Sequence, residues 1–176
     1  AEIVGHLTRK YGITPEQVSS VHLRVPVGAL SMCNIQEPVT ALEGKFSLRF
    51  TSALALGHGD TSELAFTDDR TADPLLVSLR DRVQVEGGAD VLGGTKVTVT
   101  LADGRVLREA VDVNIPATDL ERQWERLAAK FRGLASPVIG PSATAELLDA
   151  VRRLEDLPSM YAFVGLAVPQ LAGSAR

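Results

Sequence analysis

The segment from Lys96 to Val113 constrains the fold most. Two alternating runs, Lys96–Leu101 and Arg105–Val113, flank Asp103-Gly104. An Asp-Gly pair accepts the positive φ that a tight turn between antiparallel strands demands. The alternation does not match cleanly across a two-residue loop, because Leu101 would face Val106 while Val99 would face Arg108. A bulge or a longer loop is therefore expected. Such a hairpin has one apolar face, and other elements must cover it. Two more segments alternate in the same way. Val21, Leu23 and Val25 interleave with His22 and Arg24 up to Pro26, and Arg82–Glu86 repeats the pattern.

The rest of the chain reads mainly as helix. Residues 1–10 put Ile3, Val4 and Leu7 at helical spacing ahead of Gly12. Thr14-Pro15-Glu16-Gln17 is a short helical turn with a capping box. The stretch from Gly28 to Thr40 lacks periodicity and is expected to be irregular. Lys45–Leu56 reads as one helix with Phe46, Phe50, Ala53 and Leu54 on a single face. Ser52, Ala53, Ala55 and Gly57 let another element approach closely, and Gly57 and Gly59 stop the helix. Asp73 caps a helix that starts at Pro74 and runs to about Arg80.

After residue 116 only the helical period is left. Thr118 and Glu121 form a capping box, and Leu120, Trp124, Leu127, Ala128, Phe131 and Leu134 make one stripe. Pro137 and Pro141 are expected to interrupt it. Leu147, Leu148, Val151 and Leu154 make a second stripe, and a weaker helix with Met160, Phe163, Val164 and Ala167 follows Pro158. The expected architecture is α+β: a small, mostly antiparallel four-stranded sheet on short links, with helices packed on one face, plus C-terminal helices. The expected organisation is a helical lead-in (1–17), an α+β domain (18–116), C-terminal helices (117–171) and a tail (172–176).

Composition removes several function classes. A net charge of −4 leaves no electrostatic footprint for nucleic acid. No run approaches the ~20 apolar residues of a membrane span. The first segment lacks the basic and apolar regions of a signal peptide. A single cysteine, Cys33, cannot form an intramolecular disulfide, which fits a reducing compartment. Cys33 has no neighbouring base, so it reads as an inert thiol rather than a nucleophile. None of His6, His22 and His58 has a second ligand at metal spacing, so no metal site is expected. His6 and His22 read as solvated surface residues. His58, in a loop between glycines, is a candidate functional residue. Gly87-Gly88 and Gly93-Gly94 do not precede a helix in a phosphate-cradling pattern.

One segment adds a functional reading. Leu42-Glu43-Gly44-Lys45-Phe46-Ser47-Leu48-Arg49-Phe50 resembles the Glu-Ala-Lys-Phe-Ser-Leu-Pro-Tyr signature of the MmgE/PrpD family. That family includes 2-methylcitrate dehydratase, cis-aconitate decarboxylase and iminodisuccinate epimerase. Three further segments resemble the family in the same order. They are Ala65–Asp69 with Ala72-Asp73-Pro74, the hairpin Val97–Arg105, and Leu154–Pro158.

The resemblance implies the C-terminal portion of a longer lyase or isomerase, related to hydro-lyases, that acts on a small polycarboxylate. It implies a preceding N-terminal helical domain, of which 1–17 would be the lead-in, and a cytoplasmic homodimer without cofactor. Most of the catalytic set would lie in that preceding domain, so the chain alone is expected to be inactive. With its partner domain absent, the apolar stripes of 1–10 and 158–168 are expected to be exposed. Carried over residue by residue, Lys45, Ser47 and Phe50 become substrate-binding candidates beside His58. Phe50 stands where the family has Tyr and lacks its hydroxyl, and Arg49 replaces the signature Pro. Lys45 has two readings, a cation for a substrate carboxylate or a solvated lysine at a helix start. The alternative to an enzyme is a non-catalytic α+β module for binding or dimerisation.

Overall fold

The computed structural model describes residues 2–88, 94–112 and 114–168. Contacts divide the chain into two units, Ala1–Pro116 and Ala117–Arg176.

The first unit is built on four strands: β1 (Val18–Val25), β2 (Val83–Gly87), β3 (Gly94–Leu101) and β4 (Val106–Asp112). Their order is β2-β1-β3-β4. The pairs β1–β3 and β3–β4 are antiparallel, but β1–β2 is parallel. The sheet is therefore mixed, which corrects the expectation of antiparallel pairing on short links. Residues 26–82 join β1 to β2 and carry α2 (Val27–Met32), α3 (Ala41–Lys45), α4 (Leu48–Gly57), α5 (Asp68–Thr71) and α6 (Pro74–Asp81). A crossover of that length is what a parallel pair requires.

Register makes one face apolar. Val21 lies opposite Val83 and Val99, and Leu23 lies opposite Val85 and Val97. The helices cover this face. The first helix, α1 (Glu2–Tyr11), packs on α4 and β4, while α4 packs on β2 and α6. Val4 and Leu7 of α1 are buried in the core, so the stripe of residues 1–10 is not an exposed surface. The core also holds Phe50, Leu54, Leu76, Leu79 and Leu101, each fully buried. Burial of each such side chain is worth about 1.5–3 kcal/mol against exposure.

Small residues set how closely α4 meets α6. A Cβ on Gly57 would stand 2.8 Å from Leu76 Cδ2. The hairpin takes the longer loop. Thr100 pairs with Val106 and Val99 with Leu107, the Leu101 amide donates to Arg105 O (2.9 Å), and Gly104 sits at φ +86°. A glycine in that left-handed position is what a three-residue hairpin loop favours.

Two helix boundaries differ from expectation here. The region read as irregular contains α2, which is too short for a period to show. The single helix over Lys45–Leu56 is two helices, α3 and α4, broken at Phe46-Ser47. Phe46 consequently leaves the Phe50 face and is exposed.

The second unit contains α7 (Leu120–Ile139), α8 (Pro141–Arg152) and α9 (Met160–Leu166). Asp119, not Thr118, caps α7, with Oδ1 accepting from the Arg122 amide at 3.0 Å. Pro137 lies inside the last turn of α7 and does not end it, although it forfeits one ladder hydrogen bond there. Gly140 ends α7, and Pro141 opens α8 at its first turn. Ala128 of α7 and Thr144, Leu147, Leu148 and Ala150 of α8 are buried. Leu154, assigned to the α8 stripe, falls in a following 3-10 turn and is exposed. In α9, Met160 and Val164 are exposed. The tail at 172–176 lies outside the described residues.

Candidate functional site

The signature-like segment forms a corner between α3 and α4, and local hydrogen bonds explain its shape. Thr40 Oγ1 accepts from the Glu43 amide (3.2 Å), and Glu43 Oε2 accepts from the Val39 amide (2.7 Å). Asp68 Oδ1, from α5, accepts from the Ala41 amide at 2.6 Å. These bonds satisfy amides at the start of α3 that have no helical partner. At the other end, residues 33–35 run beside 46–48. The Ile35 amide donates to Phe46 O (3.2 Å) and the Leu48 amide to Cys33 O (3.0 Å). This clamp forces the break between the helices.

Ser47 is fully buried, and its Oγ accepts from the Phe50 amide at 3.1 Å, capping α4. Phe50 is fully buried as well. Its ring lies 6.3 Å from the Phe66 ring at a tilt of 57°, and a Cβ on Gly44 would touch it at 3.0 Å. Arg49, one residue before it, donates to Asn34 Oδ1 at 2.8 Å. Lys45 points outward. Its side chain is 32% exposed and forms an ion pair with Glu63. Leu42 and Phe46, which flank it in sequence, are exposed, as is Leu64 beside its partner.

His58 is the C-terminal cap of α4. At ~1.5 Å per residue, the length of α4 separates it from Ser47 by about 15 Å. Its Nε2 lies 3.9 Å from Asp73 Oδ2, at the start of α6. Nearby, the Ser62 amide donates to Asp60 (2.8 Å) and holds the Asp60 carboxyl below its usual range. The candidates thus form two places. Lys45, Ser47 and Phe50 share the α3–α4 corner, with only Lys45 presenting a charged group to solvent, and His58 stands at the far end of α4.

Sequence reasoning missed the Lys45–Glu63 pair and the Arg49–Asn34 bond, because no local spacing links those residues. A signal that sequence reasoning did not use, the capping-box pattern Thr40-x-x-Glu43, could have located the start of α3. A hollow of about 170 Å³ lies beside the corner and is lined by Arg49, Arg80, Gln36, Glu37 and Asp81. Arg80 pairs with Asp81 at 2.7 Å, so its charge is answered within the hollow. Among the described residues, no group of three or more His, Cys, Asp or Glu could hold a metal ion. No described helix is long and apolar enough to cross a membrane.

The comparisons agree with the resemblance carried by Leu42–Phe50 and the segments after it. No curated protein matches the chain. Residues 1–156, spanning both units, match the family model of the MmgE/PrpD C-terminal domain, and the chain belongs to that family.

Proposed function

We propose that this chain is the C-terminal part of an MmgE/PrpD-type lyase or isomerase acting on a small polycarboxylate, and that Lys45 offers its ammonium to a substrate carboxylate. What supports this reading is the position of Lys45. It stands at the exposed end of α3, flanked by exposed Leu42 and Phe46, in an ion pair with Glu63. A substrate carboxylate could take the place of Glu63 with little net cost, since a surface ion pair of this kind is worth about 0–1 kcal/mol. The chemistry would be removal of a proton next to a carboxylate, followed by loss of water, loss of carbon dioxide or reprotonation on the other face. Positioned general acids and bases suffice for these steps. In this reading they come from a helical domain of the family type, and the assembled enzyme is a cytoplasmic homodimer that needs no cofactor. Buried Ser47 caps α4 and supports the corner from the inside.

The test offers 2-methylcitrate, cis-aconitate and iminodisuccinate to the 176-residue chain, alone and joined to a family helical domain, with products followed by NMR. No turnover is expected from the chain alone. The joined protein should turn over one of the three, with kcat/KM lowered about tenfold in Lys45→Ala, the worth of one charge-assisted hydrogen bond. Turnover by the chain alone would refute the division of labour, and an unaffected Lys45→Ala the role of Lys45.

One observation favours a second reading, a non-catalytic binding or dimerisation module. Phe50 is sealed in the core where the family has a hydroxyl-bearing Tyr. If the joined protein is inactive on all three compounds yet still binds them, this second reading stands.

A further inference from the structure

The two edges of the sheet differ. At one edge β2 lies against α2, where a Cβ on Gly87 would meet Leu30 and Val27. At the other edge β4 is open. Val106 is 41% exposed, and Arg108, Ala110, Val111 and Asp112 are exposed as well. In an antiparallel ladder every second residue turns its amide and carbonyl toward the neighbouring strand. Arg105 O accepts from the Leu101 amide across the hairpin. Leu107, Glu109 and Val111 therefore face β3, and the backbone groups of Val106, Arg108, Ala110 and Asp112 turn outward. Among the described residues, one backbone bond outside the ladder reaches these four, from the Ile115 amide to Asp112 O at 3.3 Å. An open row of this kind is a template for another strand. The side chains on it say which strand. Arg108 and Asp112 share a face, and neither has an ion pair among the described residues. Asp112 Oδ1 accepts from the Asn114 amide (2.9 Å), which leaves its charge without a cation. Glu109 is not the counterion of Arg108. It lies opposite buried Val97, on the face that the helices cover, and its Oε2 is 4.0 Å from Lys10 Nζ.

We propose that β4 pairs antiparallel with β4 of a second copy of this chain, about a two-fold axis at Ala110, so that two four-stranded sheets become one. In this register Ala110 faces the partner's Ala110, Arg108 faces the partner's Asp112, and Asp112 faces the partner's Arg108. All of these residues turn their backbone groups outward, so each pair exchanges two backbone hydrogen bonds. Asp112 O keeps its bond from Ile115, because a carbonyl has two lone pairs. The small alanines at the axis permit close approach, and the Arg–Asp pair forms twice by symmetry.

Other registers lose this match. Centring the pair on Glu109 sets Glu109 against its own copy, and like charges directly opposite destabilise a sheet. Centring it on Val111 sets Asp112 against Ala110 and leaves Arg108 without its acid. A two-fold interface needs one patch that complements itself, and Arg108-x-Ala110-x-Asp112 is such a patch. The proposal stands on strand geometry and charge, not on Lys45 or its chemistry. A chain that stays monomeric overturns it without touching the carboxylate reading, and an inactive enzyme leaves it intact.

The test is sedimentation of the 176-residue chain from about 1 μM to 1 mM, where a monomer–dimer equilibrium is expected. Hydrogen exchange followed by NMR locates the surface. The amides of Arg108, Ala110 and Asp112 should gain protection as concentration rises, while those of Leu107, Glu109 and Val111 are protected throughout. In an equal mixture of 13C-labelled and unlabelled chain, Glu109 Hα should show a contact with the partner's Val111 Hα, its counterpart in a non-hydrogen-bonded pair. Arg108→Asp and Asp112→Arg should each weaken self-association about tenfold, because each sets two like-charged pairs across the axis. The double variant should recover it, and the two single variants should associate with each other. Both side chains are exposed on an edge strand, so these changes leave the core intact. A monomer up to about 1 mM, protection that falls elsewhere such as along α7, indifference to both charge reversals, or no recovery in the double variant would each overturn the proposal.

Discussion

The two units spend similar apolar sequence in different ways. In Ala1–Pro116, helices and sheet close on one cluster that runs from Val4 of α1 to Leu101 of β3. In Ala117–Arg176, α7 and α8 touch along a narrow seam of Ala128, Thr144, Leu147, Leu148 and Ala150. Leu120, Leu127, Phe131, Leu134 and Val138 of α7 remain exposed, although they recur at the spacing of an apolar helix face. A helical hairpin has only two surfaces to join, whereas a sheet under a helical layer encloses its apolar groups on several sides. Periodicity therefore reports which residues share a face and says nothing about whether that face is covered.

The comparison can be broken by substitution. Leu76→Ala, in the contact between α4 and α6, should cost about 2–5 kcal/mol in chemical denaturation, because it opens a cavity in a closed core. A cost near zero would mean that the first unit is packed as loosely as the second. Phe50→Tyr comes next. Its hydroxyl would enter a space bounded by Phe66 and Gly44, and an unpaired buried hydroxyl costs about 1–3 kcal/mol. Unchanged stability, together with a new hydrogen bond to the phenol, would show that this corner still accommodates the family's tyrosine.

Ser47→Ala should cost about 1 kcal/mol by removing the cap on the Phe50 amide. Leu127→Ala in the second unit should change stability by less than about 0.5 kcal/mol, since the side chain is already half exposed. A loss as large as that at Leu76 would reveal that α7 is covered in solution.

The smallest effect concerns acid. The Arg105 amide, followed by the Arg105 side chain, holds the Asp103 carboxyl below its usual range. A lowered native pKa gives stability that is present above the unfolded pKa and lost as pH falls through the native one. Asp103→Asn should remove that acid dependence from the hairpin amides, as followed by an NMR pH titration. A midpoint for native Asp103 at or above the usual carboxylate value would contradict the loop geometry.

Legibility from sequence followed the range of the interactions. Asp73-Pro74, the hairpin at Asp103-Gly104 and the alternation of Val21, Leu23 and Val25 are local signals, and each marks the element observed. The break between α3 and α4 depends on residues 33–35 running alongside 46–48, a contact between segments that no spacing rule sees. The parallel pairing of β1 with β2 is likewise a property of the whole connection and not of either strand. At the candidate site, the segment around Lys45 was recognisable as a motif. That Ser47 and Phe50 face inward while Lys45 faces outward could not be read from a run of neighbouring letters.

The strand order has a consequence for how the chain acquires its structure. β1 is central, yet both of its neighbours come after residue 82. A chain emerging from the ribosome at about 5–20 residues per second therefore carries an apolar strand with no sheet partner for several seconds. The β3–β4 hairpin, in contrast, joins residues close in sequence and can close within microseconds of its release. Assembly of the sheet then waits on the closure of a long loop, the slow kind of contact in folding. The docking of an early strand onto late ones therefore comes after the helices between them have had time to form.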